Sequence, residues 1–160
     1  MMTGFQFQLM DRCGLTIFAA WFADAELDRR VCAPTEQWFD YVCTRPENFA
    51  WLVYEGPQAV GQIQLDTSPD GTGSMSLVVN SELRSRGYGK RILRAFLHHE
   101  AASCLGKIEA CIEADNVASL RCFRASGFVA RDAEPDGNGL MTHVYTHEAT
   151  PGAAFPSAGL

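Results

Sequence analysis

The chain has 160 residues, of which 47% are hydrophobic and 20% are charged. This length suits one domain with a substantial core and is too short for two ordinary domains, and no apolar run approaches the ~20 residues of a membrane-spanning helix. The formal net charge of -6 argues against nonspecific nucleic-acid binding, because basic residues that neutralise phosphates dominate that affinity. We therefore expect a soluble domain that neither spans a membrane nor binds nucleic acid.

The first half of the chain combines strand and helix patterns. Phe5, Phe7 and Leu9 alternate with glutamines, which indicates a half-buried strand, and the turn residues at 55–58 separate two apolar stretches as in a hairpin. From the N-terminus the predicted elements are a strand over 5–9, helices around 15–22 and 38–42, and strands over 49–54, 59–65 and 75–79.

The second half begins with a long helical pattern. Apolar residues such as Ile92 and Phe96 recur at helical spacing, and Gly106 is placed to end the helix. The remaining predicted elements are a helix over 87–105, a strand over 107–112, a helix over 117–125 and strands near 128–131 and 140–145. The expected fold class is mixed α/β, an α+β arrangement with a mixed sheet and the order βααβββαβαββ. We expect one domain over 1–147 and a flexible tail over 148–160, where prolines and glycines leave little to pack.

Six cysteines are spaced irregularly, and none forms a C-x-x-C pair. Most lie in apolar segments, so we expect buried free thiols rather than disulfides or structural zinc. His98 and His99 are adjacent instead of four residues apart, and we predict no metal site. His143 and His147 are expected on one partly exposed strand face.

A basic segment precedes and begins the long helix. Five basic residues lie within eleven positions that contain no acid: Arg84, Arg86, Lys90, Arg91 and Arg94. Elsewhere 8 basic residues face 19 acidic residues. Glycines between a strand and a helix let backbone N–H groups converge on phosphate, although a lone glycine turn is also common. A Walker loop is excluded because Arg91 follows Lys90, and the dinucleotide-binding pattern fails at Ile92.

Arg84, Gly87 and Gly89 match an Arg/Gln-x-x-Gly-x-Gly/Ala motif, and the segment resembles the GNAT superfamily of N-acetyltransferases. A second pattern of that family follows, with Asn116-x-x-Ser119 and then Gly127-Phe128 after a short helix. The resemblance covers roughly 49–147 and implies the GNAT acyl-CoA N-acyltransferase fold. The segment 21–24 resembles the ribosomal-protein and aminoglycoside acetyltransferase branches more weakly.

The resemblance implies acetyl-CoA as the acetyl donor, bound through the glycine loop and between two diverging strands, 75–79 and 107–112. Backbone N–H groups of Leu77 and Val79 would polarise the thioester carbonyl. Asn116 would contact the CoA arm, although an Asn there also suits an ordinary helix N-cap. The residues implied to bind acetyl-CoA are Leu77, Val78, Val79, Arg84, Arg86, Gly87, Tyr88, Gly89, Lys90, Arg91, Asn116, Ser119 and Phe123.

The catalytic base and acid are less clearly marked. Glu109, Cys111 and Glu113 share one strand face, and the position at which some family members carry a base holds Cys111. Glu113 is the candidate base, with Glu109 as the alternative, and either carboxylate also fits a solvent-facing role. Where many members place a proton-donating Tyr, this chain has Phe123, so water, Ser119 or Cys122 would have to replace it.

The resemblance implies direct attack of a primary amine on acetyl-CoA in a ternary complex. The acidic remainder of the chain favours a cationic acceptor, either a polyamine-like or aminoglycoside-like small molecule or a protein N-terminus. Candidate acceptor-site residues, each also suited to core or solvated surface, are Trp21, Trp38, Trp51, Asp24, Glu26 and Asp28.

Three alternatives accompany this function, one of them an interaction module that uses the basic stretch for a protein or nucleic-acid partner. Phe123 and Cys111 motivate a noncatalytic acyl-CoA sensor of the same fold, while covalent catalysis through a cysteine is weaker because no His accompanies Cys111 or Cys122 in a recognisable arrangement. Residues 1–10 carry no secretory signal, so we expect the cytoplasm. The oligomeric state stays open, with a homodimer as one alternative.

Overall fold

The computed structural model describes residues 4–147, so the predicted tail over 148–160 lies outside the described residues. The strands are β1 (Gln6–Leu9), β2 (Asn48–Glu55), β3 (Gln58–Thr67), β4 (Thr72–Val79), β5 (Lys107–Glu113), β6 (Val129–Ala130) and β7 (Leu140–Thr146). The helices are α1 (Arg12–Ala20), α2 (Ala25–Arg30), α3 (Glu36–Thr44), α4 (Tyr88–Leu97), α5 (Glu100–Ser103) and α6 (Val117–Ala125), with 3-10 turns at Trp21–Ala23 and Ser81–Leu83.

Two predicted helices are interrupted in the structure. The helix expected around 15–22 is α1 followed by a 3-10 turn, after which α2 begins, because extended Asp24 caps Leu27 N–H at 3.0 Å. The helix expected over 87–105 is α4 and α5, because His99 is extended and its Nδ1 accepts from Ala101 N–H at 3.2 Å. Each break therefore coincides with a side chain that caps a new helix.

The strands form one mixed sheet in the order β1-β2-β3-β4-β5-β7-β6. Of these pairs, β4 with β5 is parallel and the others are antiparallel. The parallel pairing involves only Thr72, Gly73 and Ser74 of β4, so the two strands are unpaired from Met75 onwards. This confirms the mixed α/β fold and leaves an opening between the strands predicted to diverge.

A hydrophobic cluster covers each face of the sheet. Ile63 and Leu65 of β3 pack with Phe96 of α4 on one face. On the other face, Phe18 of α1 and Val42 of α3 belong to the second cluster. Because side chains alternate along a strand, Gln62 and Gln64 of β3 face the α1–α3 side.

Some sequence expectations about burial were wrong. The six cysteines are free thiols, but five are exposed and Cys122 is half-buried. His143 is 0% exposed, and its Nε2 accepts from Arg124 Nε at 3.2 Å. Of the two roles considered for Trp51, the structure supports the core one, since this side chain is 3% exposed. Within 4–147, none of the helices is long and apolar enough to cross a membrane.

Candidate active site

The glycine loop before α4 has the backbone shape of an anion cradle. Ser85 (φ 63°) and Gly87 (φ 79°) are left-handed, a conformation that lets neighbouring N–H groups turn to one side. At Gly89 a side chain would be crowded, since an added Cβ would lie 3.1 Å from Cys122 Sγ and 3.5 Å from Val79 Cγ2. The loop therefore lies directly against α6 and β4.

The N-terminus of α4 has free backbone donors. Its first helical hydrogen bond runs from Arg91 N–H to Gly87 O at 3.2 Å, and no side chain caps the helix. The N–H groups of Tyr88, Gly89 and Lys90 therefore have no partner within α4. Together with the positive end of the helix dipole, they favour a bound anion such as phosphate.

These donors border a cavity of about 580 Å³, which we call the loop cleft. It lies between the glycine loop, the end of β4 and α6. Its lining includes the predicted residues Leu77, Val78, Val79, Arg84, Gly87, Tyr88, Gly89, Lys90, Asn116, Ser119 and Phe123, together with Ser85, Arg121 and Cys122. A cavity of this size accommodates an elongated ligand with a charged end.

A second cavity of about 210 Å³, the sheet cleft, opens between β4 and β5 on the α1–α3 side. Cys111 and Glu113 of β5 line it, as does Trp38 of α3. Seven residues line both clefts: Arg30, Val31, Leu77, Val78, Asn116, Ser119 and Phe123. A ligand in the loop cleft can therefore meet a second ligand that enters through the sheet cleft.

Backbone donors point into the region between the clefts. Asn80 N–H donates to Val60 O at 2.9 Å, so the antiparallel alternation directs Val78 N–H towards β3. The N–H groups of Leu77 and Val79 then point to the opposite side, beyond the last residue that pairs with β5. Of the two residues predicted to polarise a carbonyl, Leu77 thus lies at the junction of the two clefts and Val79 lines the loop cleft beside it.

Some predicted cofactor residues are directed elsewhere. Arg86 and Arg91 do not line the loop cleft. Tyr88 Oη donates to Glu55 Oε2 at 2.5 Å, and Arg91 donates to Glu55 Oε1 at 2.8 Å. These bonds hold the pKa of Glu55 below its usual value, that from Tyr88 contributing most. They also hold the start of α4 against Glu55 at the end of β2.

Arg84 is bound at the edge of the loop cleft. Its Nη2 donates to Asp24 Oδ2 at 2.5 Å. This hydrogen bond lowers the pKa of Asp24, and the hydrogen bond from Leu27 N–H lowers it further by a smaller amount. Glu26 also lines the loop cleft but is paired with arginines of its own helix. Asp28 lines neither cleft.

The candidate bases differ in position. Glu113 lines the sheet cleft, whereas Glu109 does not and pairs with Lys107 at 2.9 Å. Arg30 Nη1 lies 3.4 Å from Glu113 Oε2 and 2.9 Å from Asp115 Oδ1. Arg30 was not predicted from the sequence because Glu113 and Asp115 are remote from it along the chain, and it connects the end of α2 to β5.

The side chains predicted to take part in protonating the CoA thiolate, or to replace a Tyr in that role, are poor acids. Phe123 is 3% exposed and packs edge-on against Phe128, with ring centroids 5.0 Å apart. Burial raises the pKa of Cys122 to about 11, so its thiol stays protonated at neutral pH. Asn116 Oδ1 accepts from Ser119 N–H at 3.3 Å, which is an N-cap and leaves Asn116 Nδ2 and the Ser119 hydroxyl available.

Polar side chains on β3 were also missed. Gln62 lines the sheet cleft and is 2% exposed, and its Nε2 has no hydrogen-bond partner among the described residues. Gln64 accepts from Trp38 Nε1 at 2.9 Å and donates to Asp66. The sequence signal that could have identified these side chains was glutamine at alternate positions of an otherwise apolar strand.

Among residues 4–147 there is no group of three His, Cys, Asp or Glu suited to a metal ion.

Sequence comparison identifies relatives over most of the chain. A profile of the acetyltransferase (GNAT) family matches residues 15–128. An uncharacterized N-acetyltransferase, YfmK of Bacillus subtilis (strain 168), is 32% identical over 141 residues, which cover 87% of this chain and 95% of the relative.

Solved structures share the fold at low sequence identity. The aminoglycoside acetyltransferase AAC(6')-Ib, in complex with coenzyme A and kanamycin, has a TM-score of 0.74 and 16% identity, covering 89% of this chain and 95% of that chain. Another structure of AAC(6')-Ib contains acetyl-CoA. The Vibrio cholerae spermidine N-acetyltransferase, in complex with CoA and spermine, has a TM-score of 0.74 and 11% identity, covering 89% and 95% of the two chains.

Proposed function

Because this chain belongs to the acetyltransferase (GNAT) family and is an N-acetyltransferase that uses acetyl-CoA as donor, we propose that it acetylates a primary amine by direct attack. Acetyl-CoA occupies the loop cleft, the amine enters through the sheet cleft, and both are bound when they react. The observation that carries this proposal is the junction of the two clefts at Leu77 and Val78.

Several groups of the loop cleft would hold the donor. The free N–H groups of Tyr88, Gly89 and Lys90 suit its diphosphate, and the dipole of α4 adds to their attraction. Arg84 borders the same cleft and supplies a guanidinium group. Asn116 Nδ2 is the remaining donor of a side chain whose oxygen already caps α6.

In the transfer step, the amine nitrogen forms a bond with the acetyl carbon and the bond from that carbon to sulfur breaks. Leu77 and Val79 N–H would stabilise the negative charge that develops on the carbonyl oxygen. Glu113 would accept the proton that the amine loses. Its neighbour Cys111 borders the sheet cleft as well, but within residues 4–147 no basic side chain is paired with that thiol to activate it, so covalent catalysis is not favoured.

The departing thiolate has no strong acid beside it. Phe123 has no proton to donate, and Cys122, with a pKa of about 11, is a weaker acid than an ordinary thiol of pKa ~8.5. Proton transfer from Cys122 to the thiolate is therefore unfavourable. We therefore infer that water protonates the CoA thiolate, which is an acceptable leaving group near neutral pH.

Two measurements on the intact chain test the proposal. Titration calorimetry with acetyl-CoA measures donor binding, and a thiol-sensitive dye then measures CoA release with a varied set of primary amines. We expect saturable binding and amine-dependent thiol release, with the acetylated amine detected by mass spectrometry. Binding without release for any amine would instead support a noncatalytic acyl-CoA sensor.

A further inference from the structure

We propose that the sheet cleft accepts a compact monoamine with an apolar body and one hydrogen-bond-accepting oxygen, and that the Gln62 carboxamide binds this oxygen. The proposal rests on the function proposed above, in which the acceptor amine enters the sheet cleft. It assigns Gln62 as a specificity-determining residue and replaces the polycationic acceptor that the overall charge had suggested.

Gln62 is a polar group in an apolar setting. Its register partners are Leu52 of β2 and Val78 of β4, and both belong to the hydrophobic cluster beneath α1–α3. Only 2% of Gln62 is exposed, and its Nε2 lacks a hydrogen-bond partner within 4–147. Leaving a buried amide unpaired is unfavourable, so a ligand oxygen that accepts from Nε2 would gain affinity.

The neighbouring carboxamide on the same strand face behaves differently. Gln64 Oε1 accepts from Trp38 Nε1 at 2.9 Å, and Gln64 Nε2 donates to Asp66 at 3.2 Å. Gln64 is thus engaged in holding α3 against β3. Of these two glutamines, Gln62 is the one whose Nε2 has no hydrogen-bond partner among the described residues.

The charge of the cleft argues against a polyamine or an aminoglycoside. Its charged lining residues are Arg30 and Glu113, which lie 3.4 Å apart and have opposite signs. A ligand with several ammonium groups would need several carboxylates to replace its lost hydration. The lining offers no such surplus, so the acidic character of the whole chain does not extend to this cleft.

The size and surface of the cleft favour a small, partly apolar molecule. Its volume of about 210 Å³ lies below the ~300–1,000 Å³ of typical ligand pockets. Phe18, Trp38 and Leu140 contribute apolar surface. A single amine would reach the acetyl group at the junction with the loop cleft, while its body packs against these side chains.

The experiment compares four amines as acceptors: phenylalaninamide, phenethylamine, spermidine and kanamycin. Phenylalaninamide and phenethylamine share the ring and the amine, but phenethylamine lacks the carbonyl. We expect kcat/KM, calculated on the concentration of neutral amine because an α-amino group is less basic than an alkylamine, to be about 5- to 10-fold higher for phenylalaninamide than for phenethylamine, as for one neutral hydrogen bond. We expect spermidine and kanamycin to be poorer acceptors than phenylalaninamide.

Gln62→Met should abolish the preference for phenylalaninamide over phenethylamine, because Met keeps the length of the side chain and removes its donor. Gln58→Met, at the exposed start of the same strand, is the matched control and should keep the preference. Thermal unfolding of both variants checks folding, and Gln62→Leu serves as a second variant if Gln62→Met is unstable.

The outcomes separate the two proposals. If spermidine or kanamycin is the best acceptor, the assignment of Gln62 is wrong while amine acetylation stands. The same conclusion follows if a folded Gln62 variant keeps the preference for phenylalaninamide. If neither phenylalaninamide nor phenethylamine is acetylated while other amines are, the proposed acceptor class is wrong. Acetyl-CoA binding without thiol release for any amine contradicts the transferase proposal itself.

Discussion

Arg84 Nη2 donates a hydrogen bond of 2.5 Å to Asp24 Oδ2, so the glycine loop is bound to the residue that caps α2. The same helix ends at Arg30, which pairs with Glu113 on β5. The loop that would bind phosphate and the strand that carries the candidate base are therefore both connected to α2.

Asp24→Asn should strengthen acetyl-CoA binding. Asn still caps α2, because its oxygen can accept from Leu27 N–H, but the carboxylate no longer competes with phosphate for Arg84. We expect the Kd for acetyl-CoA to fall about 3- to 5-fold at low ionic strength, with a smaller effect in high salt because exposed charges are screened. Titration calorimetry at two salt concentrations measures this, and an unchanged Kd would count against a phosphate-binding role for Arg84.

Gly87→Ala should weaken acetyl-CoA binding. Ala is strained at the φ of 79°, and relief of that strain would turn the N–H groups of the loop away from the cleft. Gly56→Ala is the matched control, since Gly56 also has a positive φ of 57° and, like Gly87, has no atom within 4 Å of an added Cβ. Both variants should lose similar thermal stability.

We expect the Kd for acetyl-CoA to rise about 10-fold in Gly87→Ala, equivalent to ~1.4 kcal/mol of binding free energy, and to stay unchanged in Gly56→Ala. Calorimetric titration of the two variants in parallel separates a local effect on the loop from general destabilisation. Equal affinities would remove the loop from the donor site.

Glu113→Gln should lower kcat by about 100-fold, within the range for general base catalysis, and leave the Kd for acetyl-CoA unchanged. Glu109→Gln is the control on the same strand face, because Glu109 lies outside the sheet cleft and pairs with Lys107. Its kcat should match that of the unmodified chain. Steady-state kinetics over a pH series measures both variants, and full activity of Glu113→Gln would exclude this base.

Cys122 should react slowly with iodoacetamide. With its pKa raised from 9.0 to about 11 by burial, the reactive thiolate is about 100-fold scarcer at pH 8. Its alkylation rate should rise with pH up to about 11 and fall when CoA fills the loop cleft, which Cys122 lines. Peptide mass spectrometry with the exposed Cys13 as internal reference follows this, and CoA-insensitive labelling of Cys122 would contradict the placement of CoA.

Much of the fold was predictable because its signals are local. Alternation at Phe5, Phe7 and Leu9 led to β1, and the strand–loop–helix order around Gly87 led to α4. The break at His99 was missed because it depends on a side chain that satisfies a backbone N–H, and the apolar spacing continues through it. Local pattern therefore identified the elements more reliably than it did their ends.

Within the site, the sequence by itself determined the loop from Arg84 to Lys90, because backbone conformation and helix-end donors depend on neighbouring residues. Only the tertiary structure decided the partners of the long side chains. Arg91 and Tyr88 bind Glu55, which precedes them by 36 and 33 residues, and the unpaired amide of Gln62 follows from its register between Leu52 and Val78. Sheet register brings residues remote in sequence together, and apolar spacing along one strand carries no record of which side chains will face each other.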